Sequence, residues 1–230
     1  MALATSHPAL PVAVLVSGRG SNLAALIEAH EAGALPVRFV LVASDKADAP
    51  ALRLAESHDI ATLALDPRQF PDRRAYDMAL FERIADSGAR LVVLAGFMRI
   101  IDADAVAPWH GRMINIHPSL LPRYRGLHTH RKALAAGDRE HGASVHFVTA
   151  ELDGGPVIAQ AVIDIHPDDT EDSLAARLLG HEHQLLPATL ALIAAGRVDI
   201  DTSGVRLDGK PLTRPLRLVD GELVATRETS

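Results

Sequence analysis

The chain has 230 residues, 48% of them apolar, a composition that suits one globular core and is far from that of a disordered segment. Its formal charge of −6 argues against a general nucleic-acid or membrane-surface partner, yet leaves room for a locally positive site that takes an anionic small molecule. There is no cysteine, which excludes disulfides, thiolate catalysis and cysteine-held metals; no apolar run reaches transmembrane length and Met1 to Pro11 lacks a signal-peptide pattern, so the cytoplasm is the expected compartment.

Val12 to Val16 is a continuous apolar run with β-branched residues, as in a strand buried on both faces of a parallel sheet. Ser17-Gly18-Arg19-Gly20-Ser21-Asn22 comes next, and Leu23, Leu26 and Ile27 then recur at helical spacing. A strand, a glycine turn and a helix present free backbone N–H groups to an anion at the helix N-terminus. The turn is neither the dinucleotide nor the nucleoside-triphosphate glycine motif, so a single phosphate is the better guess. The alternative is a plain turn that uses glycine for geometry.

Val37 to Ala43 is a second buried strand, Pro50 to His58 a helix and Ile60 to Leu65 a short third strand. Asp66 to Pro71 is a loop, and Arg73 to Ser87 a helix whose apolar stripe is Ala75, Met78, Leu80, Phe81 and Ile84. Leu91 to Ala95 is again fully apolar. Four successive β-then-α units predict an α/β fold with a doubly wound, mostly parallel sheet, in which ligands bind beyond the carboxyl ends of the strands. The loop Gly96 to Ile101 holds Phe97, Met98, Ile100 and Ile101; it either packs under another element or lines a pocket for a flat apolar ligand. Asp104 to Trp109 reads as a short helix.

Met113-Ile114-Asn115-Ile116-His117 alternates as a strand, and Pro118 ends it. Asn115 and His117 are two apart and therefore share a face. An amide able to bind a carbonyl oxygen, beside a group able to move a proton, suggests acyl-transfer chemistry; the alternative is a turn-capping Asn and a satisfied core His. Pro122 to His130 is a basic loop. His128 and His130 have the right type for metal ligands, but no further ligand lies at suitable spacing, so no metal is expected. Gly142 to Thr149 is a strand with Val145 and Phe147 on one face and Ser144, His146 and Val148 on the other. Leu152 to Pro156 is a tight turn, and Val157 to Ile165 returns as the second arm of a ribbon.

Thr170 N-caps a long helix whose capping box is incomplete, because Ser173 stands where Glu or Gln is usual. Pro187 is expected to bend or break it, and Gly196 to stop it. His181 and Glu182 project from its middle, either to solvent or into a site. From Val198 onward the chain is a polar tail with a hairpin turn at Leu207 to Lys210 and a final stretch expected to be disordered.

Asn115-Ile116-His117-Pro118-Ser119-Leu120-Leu121-Pro122 resembles the signature of the folate-dependent formyltransferases. Ser17 to Leu23, Gly96 to Arg99, Gly126 to His130, Ser144 to Val148 and Leu152 to Pro156 narrow the resemblance to the branch that formylates glycinamide ribonucleotide, collinearly from about Val12 to Arg197. The resemblance implies a Rossmann-like formyltransferase fold in a single domain over 1–230. Residues 12–110 would form the phosphate-binding half, 111–197 the catalytic and folate-binding half, and 198–230 a tail giving a C-terminal antiparallel extension.

It further implies 10-formyltetrahydrofolate as co-substrate and no metal. Gly20, Ser21 and Asn22 would take the acceptor's phosphate, and Glu182 would contact the same ribonucleotide. Arg73 would contact folate, and Met98, Arg99, Ile100 and Ile101 would edge the pterin pocket, which would explain the apolar loop. Asn115, also a folate contact, His117 and Asp153 would be the catalytic trio. The implied protein is a monomer or homodimer with no nucleic-acid or membrane partner. Two residues depart from this branch: Arg19 stands where a small polar residue is common, and Arg125 where proline is more usual. Arg125-Gly126 matches the related methionyl-tRNA formyltransferases; against that alternative, little chain remains after Arg197 and the net charge is negative.

Overall fold

A computed structural model describes residues 9–202 and 204–225. Five parallel strands come first: β1 (Leu10–Val16), β2 (Val37–Ser44), β3 (Thr62–Ala64), β4 (Leu91–Leu94) and β5 (Met113–His117). Helices α1 (Ser21–Glu31), α2 (Pro50–Ser57), α3 (Arg73–Asp86) and α4 (Ala103–Val106) connect them in turn. After α5 (Thr129–Ala135), β6 (Glu140–Phe147) continues the sheet antiparallel to β5, and β7 (Val157–Asp164) follows antiparallel to β6. The long α6 (Glu171–Ala194) is next, then β8 (Val198–Asp201), β9 (Gly204–Leu207), β10 (Lys210–Pro211), β11 (Leu216–Val219) and β12 (Glu222–Val224).

The main sheet is nine-stranded, in the order β12-β11-β7-β6-β5-β4-β1-β2-β3. β1 lies inside it, paired in parallel with both β2 and β4, and Val12 to Val16 are all 0% exposed. That burial has two sides. Val12, Val14 and Val16 pack into a core with α1, α2 and α6, while Ala13 and Leu15 pack into a second core with α3, α4 and Trp109. A side chain buried fully in such a core contributes about 1.5–3 kcal/mol, so both faces of the strand must be apolar. That is why its sequence runs without alternation.

The fold is the predicted mixed, mostly parallel α/β sheet. Several local expectations are corrected. In α3 Met78 is 43% exposed and outside the core, and Tyr76, at 0%, takes the place expected for it. The 66–71 loop contains one turn of 3-10 helix, Pro67–Gln69, capped by the Asp66 carboxylate. The box at the start of α6 is complete: the Ser173 amide donates to Thr170 Oγ1 at 3.1 Å, and the Thr170 amide donates to Ser173 Oγ at 2.9 Å. A hydroxyl can play the part usually given to a longer side chain, because it both donates and accepts. Pro187 does not interrupt α6. It is buried in the helix, and Thr189 one turn past Leu185 donates its hydroxyl to the Leu185 carbonyl at 2.7 Å.

The polar stretch after Val198 is largely built into the fold. β8, β9 and β10 make a small antiparallel sheet. Asp208 and Gly209, at φ 50° and 75°, form the expected two-residue hairpin turn. β11 then pairs in parallel with β7, covering an edge of the main sheet, and β12 turns back on it. The expectation of terminal disorder falls on residues 226–230, outside the described residues.

Candidate active site

β1, β4 and β5 all end at one edge of the sheet, and the loops that leave these three strands meet there. The turn after β1 reaches Gly20, which sits at φ 81° and N-caps α1 without a side-chain bond. The positive φ alone favours glycine. A Cβ there would also lie 2.5 Å from the Cβ of Ala51, so α2 approaches too closely for any side chain. The amides of the first turn of α1 are thus left without a side-chain acceptor. Ser21 and Asn22 open the helix, and Asn22 Nδ2 donates to Glu182 Oε2 at 2.9 Å, joining α1 to α6. Glu182 therefore faces a site and not solvent. Burial raises its carboxyl pKa, opposed by that hydrogen bond.

A cavity of about 380 Å³ opens beside this pair. Asn22 and Glu182 line one part; Met98, Arg99, Ile100 and Ile101 line another, together with Phe97, Val106, Leu127 and Leu152. Asn115, His117, His146 and Asp153 lie in its wall. Of the residues expected from sequence, Gly20, Ser21 and Arg73 do not line it. Arg73, the first residue of α3, is largely exposed, with its guanidinium 3.9 Å from the Asp102 carboxylate. Arg19 is exposed.

The strand register brings the polar residues together. Asn115 lies opposite His146, and His117 opposite Ser144. The turn after β6 then brings back Asp153, at φ 47°. Gly155 permits this return, since a Cβ there would lie 1.8 Å from the Phe147 carbonyl oxygen. Asp153 Oδ2 accepts from the Gly126 amide at 2.8 Å and lies 3.5 Å from His117 Nδ1. Its Oδ1 lies 3.5 Å from Asn115 Nδ2 and 3.8 Å from His146 Nε2. Asn115, His117 and Asp153 are thus one cluster.

Hydrogen-bond chemistry assigns the protons. His117 Nε2 is 3.0 Å from the Tyr124 carbonyl, which can only accept, so Nε2 carries a hydrogen. Nδ1 then lies on the side of Asp153. His146 Nδ1 is 2.9 Å from the Phe147 carbonyl and likewise carries a hydrogen, leaving Nε2 as an acceptor 3.1 Å from Asn115 Nδ2. Burial lowers the His146 pKa, which keeps the ring neutral and in that tautomer. His146 was visible in sequence only as a strand residue on the Ser144 face. Its position opposite Asn115 depends on the β5–β6 register, which sequence alone does not supply.

Arg125 forms an ion pair with Glu151, and Lys132 Nζ donates to the Arg125 carbonyl at 3.2 Å. The ion pair ties the loop after β5 to the one after β6, and the lysine ties the former to α5. His130 Nδ1 is 3.0 Å from His141 Nε2, and His128 caps α5 at φ 60°. Among the described residues no group of three or more His, Cys, Asp or Glu is arranged to hold a metal ion.

A doubly wound sheet with an amide, an imidazole and a carboxylate at its carboxyl edge, in the wall of a cavity that is otherwise largely apolar, has the equipment for acyl transfer. The family model described as formyl transferase matches residues 10–190, and the chain belongs to that family. It is 47% identical over 201 residues to the phosphoribosylglycinamide formyltransferase of Escherichia coli strain K12, covering 87% of this chain and 95% of that protein. It is 44% identical over 193 residues to the trifunctional purine biosynthetic protein adenosine-3 of Drosophila pseudoobscura pseudoobscura, covering 83% of this chain but 14% of that longer protein. Among solved structures, the phosphoribosylglycinamide formyltransferase of Coxiella burnetii superposes with a TM-score of 0.85 at 47% identity, covering 89% of this chain and 96% of that one.

Proposed function

We propose that this enzyme transfers the formyl group of 10-formyltetrahydrofolate to the primary amine of glycinamide ribonucleotide, giving N-formylglycinamide ribonucleotide and tetrahydrofolate. The observation that carries the reading is the cluster of Asn115, His117 and Asp153, with contacts of 3.5 Å, between the Asn22–Glu182 pair and the apolar loop. In this reading the first turn of α1, from Gly20 through Ser21 and Asn22, takes the acceptor's phosphate. Glu182 binds the ribonucleotide. Met98, Arg99, Ile100 and Ile101 edge the pterin, and Arg73 meets the donor's distal, exposed end. The chain works as one domain: the 12–110 half holds the acceptor phosphate and the 111–197 half holds the reacting groups and much of the donor. It acts in the cytoplasm as a monomer or homodimer.

The neutral amine attacks the formyl carbon, forming a new C–N bond and placing charge on the formyl oxygen. Asn115 Nδ2 has two hydrogens. One is engaged by His146, and the other reaches Asp153 only at 3.5 Å, so it is free to turn to the oxyanion. His117, charged at Nδ1, adds electrostatic stabilisation. Asp153 takes the proton released by the attacking nitrogen, directly or through water, and returns it to N10 of the donor as the old C–N bond breaks. Proton and electron counts balance without a metal or a covalent enzyme intermediate. Holding both substrates in one cavity supplies a further share of the rate.

The test is to incubate the purified chain with 10-formyltetrahydrofolate and glycinamide ribonucleotide. Formylated ribonucleotide and tetrahydrofolate are expected in equal amounts. Formylation of charged initiator tRNA in its place, or hydrolysis of the donor with no acceptor requirement, would overturn the reading.

A further inference from the structure

The stretch from Gly96 to Ile101 walls the cavity without regular structure of its own, and Asp102 follows it. Met98 and Ile100 are 64% and 51% exposed, so the loop holds large apolar side chains in water before any ligand arrives. Left to itself such a loop would collapse onto apolar surface. It is held at both ends. Ser17, at the end of β1, donates its amide to the Gly96 carbonyl at 3.1 Å and accepts from the Met98 amide on Oγ at 2.9 Å. At the other end the Asp102 amide donates to Asp77 Oδ2 at 2.8 Å. Between them the Arg99 guanidinium lies 4.8 Å above the ring of Tyr76, next to Asp77 in α3.

Asp77 is unusual in this position. It is 0% exposed, the one carboxylate among the buried polar side chains of the described residues. Its Oδ1 has no hydrogen-bond partner. Burying a carboxyl group with one oxygen unsatisfied is costly. Packing alone would be served better by an apolar side chain; what the carboxyl group gains is the bond to the Asp102 amide, with the Arg99 and Arg73 cations nearby.

We infer that Asp77 is a positioning residue for the formyl donor: by fixing the far end of the 96–102 loop it keeps Met98, Ile100 and Ile101 in place as a preformed wall for the donor's flat ring. Ser17 fixes the near end. This inference rests on the folate reading above. Binding a flat apolar ring is stronger when the wall is ordered beforehand, because less conformational entropy is lost on binding. Asp77 does not line the cavity, so its effect runs through the loop that it holds.

The test compares Asp77→Ala and Asp77→Asn in the full chain, with KM measured separately for donor and acceptor. Asp77→Ala is expected to raise the donor KM about tenfold, as for a lost buried acceptor, with acceptor KM and kcat within about twofold. Asp77→Asn keeps an oxygen able to accept from the Asp102 amide. The amide variant is therefore expected to behave like the wild type. Titration calorimetry with 5,8-dideazafolate, which carries no formyl group, should show the same loss for Asp77→Ala. If that variant fails to fold by circular dichroism, Asp77→Asn and Ser17→Ala carry the test: the first should bind the analogue normally and the second more weakly. Unchanged donor affinity in Asp77→Ala, equal losses for both substrates, or weak donor binding by Asp77→Asn overturns the inference alone, as does normal binding by Ser17→Ala. A wild-type chain that does not bind the analogue overturns the donor reading and the inference with it.

Discussion

The amide nitrogen of Asn115 and Nε2 of His146 lie 3.1 Å apart, directly across the β5–β6 ladder. Because His146 is buried and its Nδ1 is committed to the Phe147 carbonyl, Nε2 has only a lone pair to offer. That forces Asn115 to present its nitrogen, and not its oxygen, to His146. The carboxamide is thereby aimed with its second N–H toward the cluster. His146→Phe removes this constraint while keeping a ring in place. It is expected to lower kcat about tenfold or more, below the 10²–10³ typical of deleting an oxyanion donor outright, with both KM values nearly unchanged. Steady-state kinetics with each substrate varied in turn decides it; a wild-type kcat would show that the amide needs no such guide.

How far the sequence reached is clear from this pair. Asn115 stood out only together with its surroundings: an Asn two positions before a histidine fits a turn cap as well, and it became a candidate because the glycine turn, the apolar loop and Asp153 fall at the same strand ends. His146 did not stand out, since its importance comes from which residue it faces, and register is a non-local property. The same contrast recurs in α3. Periodicity found the helix but assigned Met78 to the core, whereas the fold turns Tyr76 and Asp77 inward to meet the 96–102 loop. Ser173 completes a capping box that a pattern restricted to Glu and Gln does not recognise. The continuous apolar runs gave the parallel strands directly, because burial on both faces leaves few alternatives to Val, Leu, Ile and Ala.

The three clustered residues should separate binding from chemistry. His117→Ala removes the imidazole beside Asp153, and Asp153→Asn leaves the shape while removing the proposed base. Each is expected to cut kcat by about 10²–10⁴, the range for a lost general acid or base. Calorimetric affinity for glycinamide ribonucleotide should persist in both, because the proposed phosphate turn lies on a different strand end. Loss of binding with no change in turnover number would mean that these residues hold the substrate and do not act on it.

Gly20 is constrained twice, by its φ of 81° and by the approach of Ala51. Gly20→Ala must therefore either strain the backbone or push α2 away. Destabilisation of about 1–3 kcal/mol is expected, combining the left-handed backbone cost with overpacking. The acceptor KM should rise, while the donor KM stays close to its original value. Urea denaturation and kinetics on the same preparation would check both parts. An unaltered urea midpoint would show that the helix yields without cost.

Stability should fall as the solution is acidified, through histidines that are buried uncharged. Burial lowers the pKa of His130 and His146, and that of His141 to about 4. The unfolded chain, with ordinary histidines near 6.5, takes up protons more readily than the folded one. The stabilising contribution is therefore complete above pH 6.5 and is lost as pH falls from there towards about 4. The geometry agrees, since the 3.0 Å contact between His130 Nδ1 and His141 Nε2 needs one nitrogen to accept, and protonating both rings leaves two donors facing each other. His141→Gln replaces a titrating ring with an amide that does not titrate. It is expected to flatten the decline in urea stability between pH 7 and pH 4.5 by about 2 kcal/mol, even if the variant is less stable at neutral pH. An equal slope in wild type and variant would mean that other groups, and not this histidine pair, set the acid limit of the fold.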